Sequence, residues 1–230
     1  FQRLRQAMKA ISFENLLGDP TFYVRNGVYV VTHVDDILVA GTEEEIEQFF
    51  KDMNQHLALK RGPEVTADKV AFFCGKQYQR LENGFRVRHD PKYLELIVDE
   101  LGLSTAKPVT TPGVADLKPG TQEEKQTWSE PLSPPMHYRY RKAVGMLRFV
   151  VTERPDLLHV VHLLSRDLNG PTGESWARLR RCGRYLRGTL ETWLKLVPTR
   201  SADGKAQLVG YSDSDYAGDR ATRRSVSCAW

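Results

Sequence analysis

Two carboxylates stand side by side at Asp35-Asp36, inside the stretch Gly27-Val-Tyr-Val-Val-Thr-His-Val-Asp-Asp-Ile-Leu-Val-Ala-Gly41. Adjacent like charges repel, and a turn that only had to close would do better with Asn-Gly. A divalent cation removes the conflict, because hard oxygen donors on a short turn can hold Mg²⁺ together with substrate phosphates. The plain alternative is a solvated turn, since Asp is a common turn former. A second acidic group, Tyr211-Ser-Asp213-Ser-Asp215, follows another apolar run and carries the same two readings.

Arg180, Arg184 and Arg187 fall at i, i+4 and i+7 and line one side of a helix. No acid accompanies them at ion-pairing spacing, so the ridge reads as a contact for a phosphate backbone or as a solvated face. The surrounding segment 137–188 holds eleven Lys and Arg against four Asp and Glu, while the whole chain carries only +4. Charge concentrated in this way points to a polyanion, with nucleic acid the leading candidate. His159 and His162 lie three apart on a helix, but no Cys or third ligand accompanies them, and they read as packing or surface residues. No G-x-S-x-G, Walker loop or H-E-x-x-H is present, so nucleophilic hydrolase and zinc-protease chemistry have no support. Cys74, Cys182 and Cys228 form no C-x-x-C pair, which argues against a disulfide framework or zinc knuckle and suits a reducing environment.

The elements that must position these groups follow from periodicity and turn chemistry. A helix is expected to end near Leu17, and Thr21 to Arg25 reads as a strand. Asn26-Gly27 is a two-residue hairpin signal leading into the strands Val28 to Val34 and Ile37 to Val39, whose junction places the Asp pair at a hairpin tip. Thr42 and Glu45 form a capping-box pattern. Behind them Ile46, Phe49, Phe50, Met53 and Leu57 recur at helical spacing, predicting a helix over 42–57. Strands are expected at Val70 to Gln79 and Gly84 to Arg88, then a helix from Asp90-Pro91 with Leu94, Ile97, Val98 and Leu101 as its apolar stripe.

Residues 104–136 are rich in Pro, Thr and Ser and read as a linker or surface strap. Helices are expected at Tyr138 to Thr152, Pro155 to Leu168 and Pro171 to Arg187, and strands at Leu194 to Val197 and Gln207 to Ser212. The class is α+β, built on an antiparallel sheet.

With 230 residues, 40 % hydrophobic and 27 % charged, the chain can bury a real core and is composed like a globular protein. No apolar run approaches the roughly 20 residues that span a bilayer, and no membrane partner is expected. The first residue is not Met, which suggests a piece of a longer protein.

Taken in order, the motifs resemble one family. Val34-Asp35-Asp36-Ile37-Leu38-Val39-Ala40-Gly41 is similar to the Y-V-D-D-I-L-x-A-G hairpin of copia-type LTR-retrotransposon reverse transcriptases. Gly18-Asp-Pro-Thr-Phe-Tyr23 resembles their D-P-x-x-F/Y strand, and Phe72-Phe-Cys-Gly75 their F-L-G strand. Tyr140-Arg-Lys-Ala-Val-Gly-Met-Leu147 resembles Y-R-x-x-V-G-x-L, and Thr152-Glu-Arg-Pro-Asp156 resembles T-R-P-D. Arg184-Tyr-Leu-Arg-Gly-Thr189 is similar to R-Y-L-x-G-T, and Tyr211-Ser-Asp-Ser-Asp-Tyr-Ala-Gly-Asp219 to the opening of the RNase H domain.

The resemblance implies a partial polymerase palm and thumb over 1–103, the strap at 104–136, a basic helical connection module at 137–190, and a truncated RNase H-like β start at 191–230. Asp35, Asp36 and Asp213 then stand as catalytic, metal-binding carboxylates, with Mg²⁺ as cofactor and Mn²⁺ as an alternative. His33 takes the place of the family's Tyr before Val-Asp-Asp and would lie near a primer end; Arg180, Arg184 and Arg187 would bind nucleic acid. The implied partners are an RNA or DNA primer–template and, in the full-length enzyme, a dNTP. The implied setting is intracellular, in a cytoplasmic particle or the nucleus.

The family's other palm aspartate is expected before residue 1 and the remaining RNase H acids after residue 230, with Cys228 where a Gly is typical. The chain alone is therefore expected to lack activity. The alternative is a non-catalytic nucleic-acid-binding remnant.

Overall fold

The computed structural model describes residues 2–16, 18–201, 203–205, 207, 209–214, 216, 217, 223, 225 and 227–229. It is mixed α and β with antiparallel sheets, and divides into a unit of residues 1–195 and a smaller one of 196–230.

The larger unit opens with α1 (Gln2–Ala10). This helix stops earlier than the sequence suggests. Ser12 takes a left-handed φ of 62°, Phe13 N donates to Met8 O at 2.9 Å, and Ser12 N donates to Lys9 O at 3.0 Å. This is a Schellman closure built on Ser in place of the usual Gly. It turns both Ile11 and Phe13 into the core, and Glu14–Leu16 then forms an extra strand, β1. Leu17 lies outside the described residues.

The first sheet has the order β1-β2-β3-β4, with β2 at Asp19–Arg25, β3 at Val28–His33 and β4 at Asp36–Ala40. Asn26 and Gly27 join β2 to β3 with φ of 46° and 86°, the two left-handed residues that a type I′ hairpin needs. Alternation along β3 is clean. Val28, Val30 and Thr32 are buried, and Tyr29 and His33 are exposed. The buried face packs with Tyr23, α1 residues Ala7 and Met8, and Phe49 and Met53 of α2 (Glu43–Met53). Thr42 caps α2: its side chain accepts from Glu45 N at 3.4 Å while Glu45 Oε2 accepts from Thr42 N at 2.9 Å.

A second sheet contains β5 (Ala71–Phe73), β6 (Lys76–Leu81), β7 (Gly84–His89) and β8 (Leu194–Leu196). The single strand expected over 70–79 is thus two strands. Cys74 and Gly75, at φ of 52° and 71°, reverse the chain between them, and Phe73 pairs with Lys76. Cys-Gly does the work of Asn-Gly here, with a side chain that gives little turn signal.

The second core crosses the strap. Leu94, Ile97 and Val98 of α3 (Pro91–Glu100), with Leu101 and Leu103, pack against Tyr140, Val144 and Leu147 of α5 (Pro134–Val150), Val161 and Leu164 of α6 (Leu158–Arg166), and Leu179, Cys182 and Leu186 of α7 (Gly173–Arg187). Residues 155–157 and 167–169 flank α6 as 3₁₀ turns, and the strap carries the short helix α4 (Gln122–Thr127). No described helix is long and apolar enough to cross a membrane.

His89 is buried beside Tyr93 of α3, Phe149 of α5, Lys76 of β6 and Glu153. Burial is the largest influence on the imidazole and pushes its pKa below the ordinary 6.5, against the pull of Glu153. The unfolded chain therefore takes up a proton near 6.5 that the folded chain refuses. Stability should fall as pH drops below about 6.5, and His89→Gln should flatten that slope, as read from urea midpoints between pH 7.5 and 5.5.

In the smaller unit, β9 (Ser212–Ser214) pairs antiparallel with β10 (Ser227–Ala229). The strand expected over 207–212 is displaced: described residues 207 and 209–211 are not in a strand, and Asp213 lies within β9 opposite Cys228.

Candidate functional site

The register His33↔Asp36 makes Val34-Asp35 the two-residue loop of the β3–β4 hairpin. Asp36 therefore opens β4, and Asp35 sits on the turn. Val34 is held at φ 53° and is 73 % exposed. A β-branched residue in the left-handed region is strained by about 1–3 kcal/mol, and such strain gathers at functional sites. His33, Asp35 and Asp36 are all exposed.

Alternation puts His33 and Asp36 on the sheet face away from the core, where Phe22, Val24, Val31 and Leu38 are half-buried and Tyr29 is exposed. Neither the Asp35 nor the Asp36 carboxylate makes a hydrogen bond or ion pair with a described residue. Two unpaired neighbouring carboxylates are hard oxygen donors and suit Mg²⁺. No group of three His, Cys, Asp or Glu suited to a metal occurs among the described residues. A metal on this pair needs further ligands.

β5 of the second sheet, which leads into the Cys74-Gly75 turn, runs close beside β4 of this hairpin. The Cys74 thiol is pushed up first by burial and then by the negative charge of Asp36, with Lys76 opposing. Lys76 is itself committed: its Nζ lies 2.6 Å from Glu153 Oε1.

The arginine ridge has a different setting from the one its spacing suggests. Arg184 Nε donates to Lys107 O at 2.7 Å, Arg187 Nη1 donates to Ala106 O, and Arg181 Nη2 donates to Thr111 Oγ1 at 2.8 Å. These arginines clamp the strap onto α7. Arg180 alone of the three ridge residues is exposed without a described partner.

Free positive charge lies on α5, which the motif reading passed over. Its seventeen residues include Arg139, Arg141, Lys142 and Arg148 and no Asp or Glu. Glu100 of α3 meets Lys142 at 2.6 Å and Arg139 at 3.8 Å. Arg141 and Arg148 are exposed and have no described partner. Between them Gly145 is exposed, and a Cβ built there would meet nothing within 4 Å. Mid-helix Gly costs about 1 kcal/mol relative to Ala, and internal packing gives no reason for it here. The available signal was a long helix without a single acid.

Two other motifs meet each other. Arg154, 1 % exposed, binds both carboxylate oxygens of Asp156 at 3.0 and 2.7 Å and reaches Thr189 O at 3.0 Å and Thr189 Oγ1 at 2.8 Å. Tyr185 donates to Asp156 at 2.9 Å. The segment 152–156 is thus tied to the end of α7. His159 and His162 are exposed, and no metal-binding cluster forms around them among the described residues.

Asp213 is exposed on β9, and its Oδ1 accepts from Ser214 N at 2.9 Å. Asp215 and Asp219 lie outside the described residues.

No family model matches the chain, and no solved structure matches it. Curated proteins do. It is 29 % identical over 224 residues to the retrovirus-related Pol polyprotein from transposon RE2 of Arabidopsis thaliana, covering 95 % of the chain and 14 % of that protein. It is 29 % identical over 240 residues to the counterpart from transposon TNT 1-94 of Nicotiana tabacum, covering 98 % of the chain and 17 % of that protein. An uncharacterized mitochondrial protein of Arabidopsis thaliana, AtMg00810, is 27 % identical over 202 residues, which is 87 % of the chain and 76 % of that protein. Each polyprotein match covers nearly the length of the chain and a small part of the polyprotein. The chain is a homologue of the copia-type, retrovirus-related Pol polyproteins of transposons, matching a stretch of each.

Proposed function

We propose that this chain supplies the paired aspartates of a Mg²⁺-dependent, RNA-directed DNA polymerase, together with a helix that holds its nucleic acid. The observation that carries the reading is the exposed, unpaired Asp35-Asp36 on a strained hairpin tip. A bound metal pair would stabilise the attacking and leaving oxygens of an in-line phosphoryl transfer. Asp35 and Asp36 would hold the metal through their carboxylates, and His33, across the hairpin from Asp36, would line the approach to it. Asp213 would be the first carboxylate of a separate RNase H centre.

The polyanion would lie along α5. Arg141 and Arg148 are seven residues apart, about 10 Å along the axis, which spans several phosphates of one strand. Gly145 between them lets a backbone approach closely.

Among the described residues no third carboxylate joins the pair, which would then hold half of a two-metal site, and the 230 residues alone should bind a primer–template and not extend it. Anisotropy with a labelled RNA–DNA primer–template should show affinity that falls steeply with salt. Arg141→Gln and Arg148→Gln should each reduce the log–log slope by about one. Affinity indifferent to salt would end the nucleic-acid reading. Mg²⁺-dependent extension abolished by Asp35→Asn would show that the site is complete. A second reading, nucleic-acid binding without chemistry, draws support from the basic, acid-free helix α5.

A further inference from the structure

Glu153 is a buried carboxylate, 5 % exposed, in the turn between α5 and α6. Its backbone is fixed from below, with Glu153 N donating to Val150 O at 3.2 Å and the neighbouring Arg154 bound to Asp156 and Thr189. Its two oxygens point out of the helical core and into the second sheet. Oε1 takes the Lys76 ammonium at 2.6 Å, and Oε2 lies 2.7 Å from His89 Nε2.

Lys76 and His89 are direct cross-strand partners on β6 and β7. Lys76 is also the residue that closes the Cys74-Gly75 turn opposite Phe73. One carboxylate therefore contacts both members of the pair at the base of that tip, and β5, which ends one residue before Cys74, runs close beside β4, which opens at Asp36.

We infer that Glu153 is a positioning residue, which fixes the Cys74-Gly75 hairpin tip against the Asp35-Asp36 tip from the helical core. The sequence of contacts runs from the end of α7 through Thr189, Arg154 and Glu153 to Lys76 and the tip. A shift of α5 and α7 as a body is passed to the neighbourhood of the aspartates through this buried carboxylate, beside the packing of Phe149 and Tyr93 on His89. The catalytic meaning of this rests on the proposed metal role of Asp35-Asp36; the mechanical link does not.

The test reads tip proximity without metal or nucleotide, so it can fail or succeed independently of the polymerase reading. In a Cys228→Ser background, Asp36→Cys places a second thiol at the start of β4, the strand that runs close beside β5 and the native Cys74 that follows it. Cys182, buried in the helical core with its thiol pushed up to about 12, stays silent. Oxidation by diamide, followed by mass spectrometry of the linked peptides, gives the rate of bridge formation. That rate should be similar with Glu153 and with Glu153→Gln, which keeps an acceptor for Lys76. It should fall roughly tenfold or more in Glu153→Ala and in Lys76→Met, as the effective concentration of one thiol at the other drops.

Circular dichroism confirms that each variant is folded. If Glu153→Ala does not fold, the half-buried Lys76→Met decides the matter. Equal rates in the parent and Lys76→Met, or no bridge in the parent, would overturn the inference.

Discussion

Asp156→Ala should lower the stability of the folded chain by about 3–5 kcal/mol, the cost of stranding a buried charge. Arg154 is 1 % exposed, and among the described residues Asp156 is its one carboxylate partner. Without Asp156 the guanidinium keeps only the neutral oxygens of Thr189, and Tyr185 loses the acceptor for its hydroxyl.

The reverse deletion should cost less. In Arg154→Met an apolar side chain fills the buried space, and Asp156, 33 % exposed at its side chain, can take up water; about 1–3 kcal/mol is expected. Urea unfolding followed by circular dichroism measures both. Burial pushes the Asp156 pKa up, but the bonds from Arg154 and Tyr185 outweigh it and hold the carboxyl below its ordinary value. The stabilisation is therefore present above the unfolded pKa of about 3.9 and lost as pH falls below it, and the gap between parent and Asp156→Ala should narrow there. Equal losses from the two substitutions would mean that the pair is not buried as described.

Gly173→Ala should be the other severe change, at about 2–3 kcal/mol. A Cβ at residue 173 would sit 2.3 Å from Thr127 O and 3.0 Å from Thr127 C, both backbone atoms. Relief requires the strap to withdraw. That breaks Gly173 N to Glu130 O at 3.1 Å and Glu174 N to Trp128 O at 2.9 Å, which satisfy the first amides of α7. Gly183 makes the contrast. A Cβ there would meet Leu101 Cδ1 at 2.6 Å and Leu103 Cδ1 at 2.7 Å, ends of side chains that can rotate away. The gain of about 1 kcal/mol in helix propensity offsets much of that, so Gly183→Ala should be near neutral. Thermal midpoints separate the two. A Gly173→Ala chain as stable as its parent would place the strap elsewhere.

The local signals in the sequence were readable because their partners are close along the chain. Asn26-Gly27 and the Thr42–Glu45 box involve residues at most three apart, and the hairpin carrying Asp35 and Asp36 follows from two β-branched runs. Ser12 and Cys74 hid their turns because neither residue type advertises a left-handed φ, and only burial of Ile11, Phe13 and Ala71 makes those turns worthwhile. The surroundings of the arginines were not legible at all. Arg184 and Arg187 find their acceptors 77 and 81 positions away, on backbone carbonyls that leave no trace in residue type. The free charge on α5 left a faint one, the absence of any acid over seventeen residues. At the candidate site, Asp35 and Asp36 announced themselves, while Glu153 and Lys76 did not, since their meeting spans 77 positions.

The clamp on the strap has an evolutionary corollary. Because Arg184 and Arg187 hold main-chain oxygens, side-chain identity at exposed Lys107 is nearly immaterial to the grip, while Ala106 is kept small by its packing on the helical core. Mutations can accumulate in that stretch without loosening it, provided the chain length and the prolines around it are kept. Pro108 is one of these, since it lies against Gly188, where a Cβ would come within 2.9 Å of it. A segment that looks unconstrained letter by letter can thus be held firmly in shape, with the selection falling on the arginines opposite it.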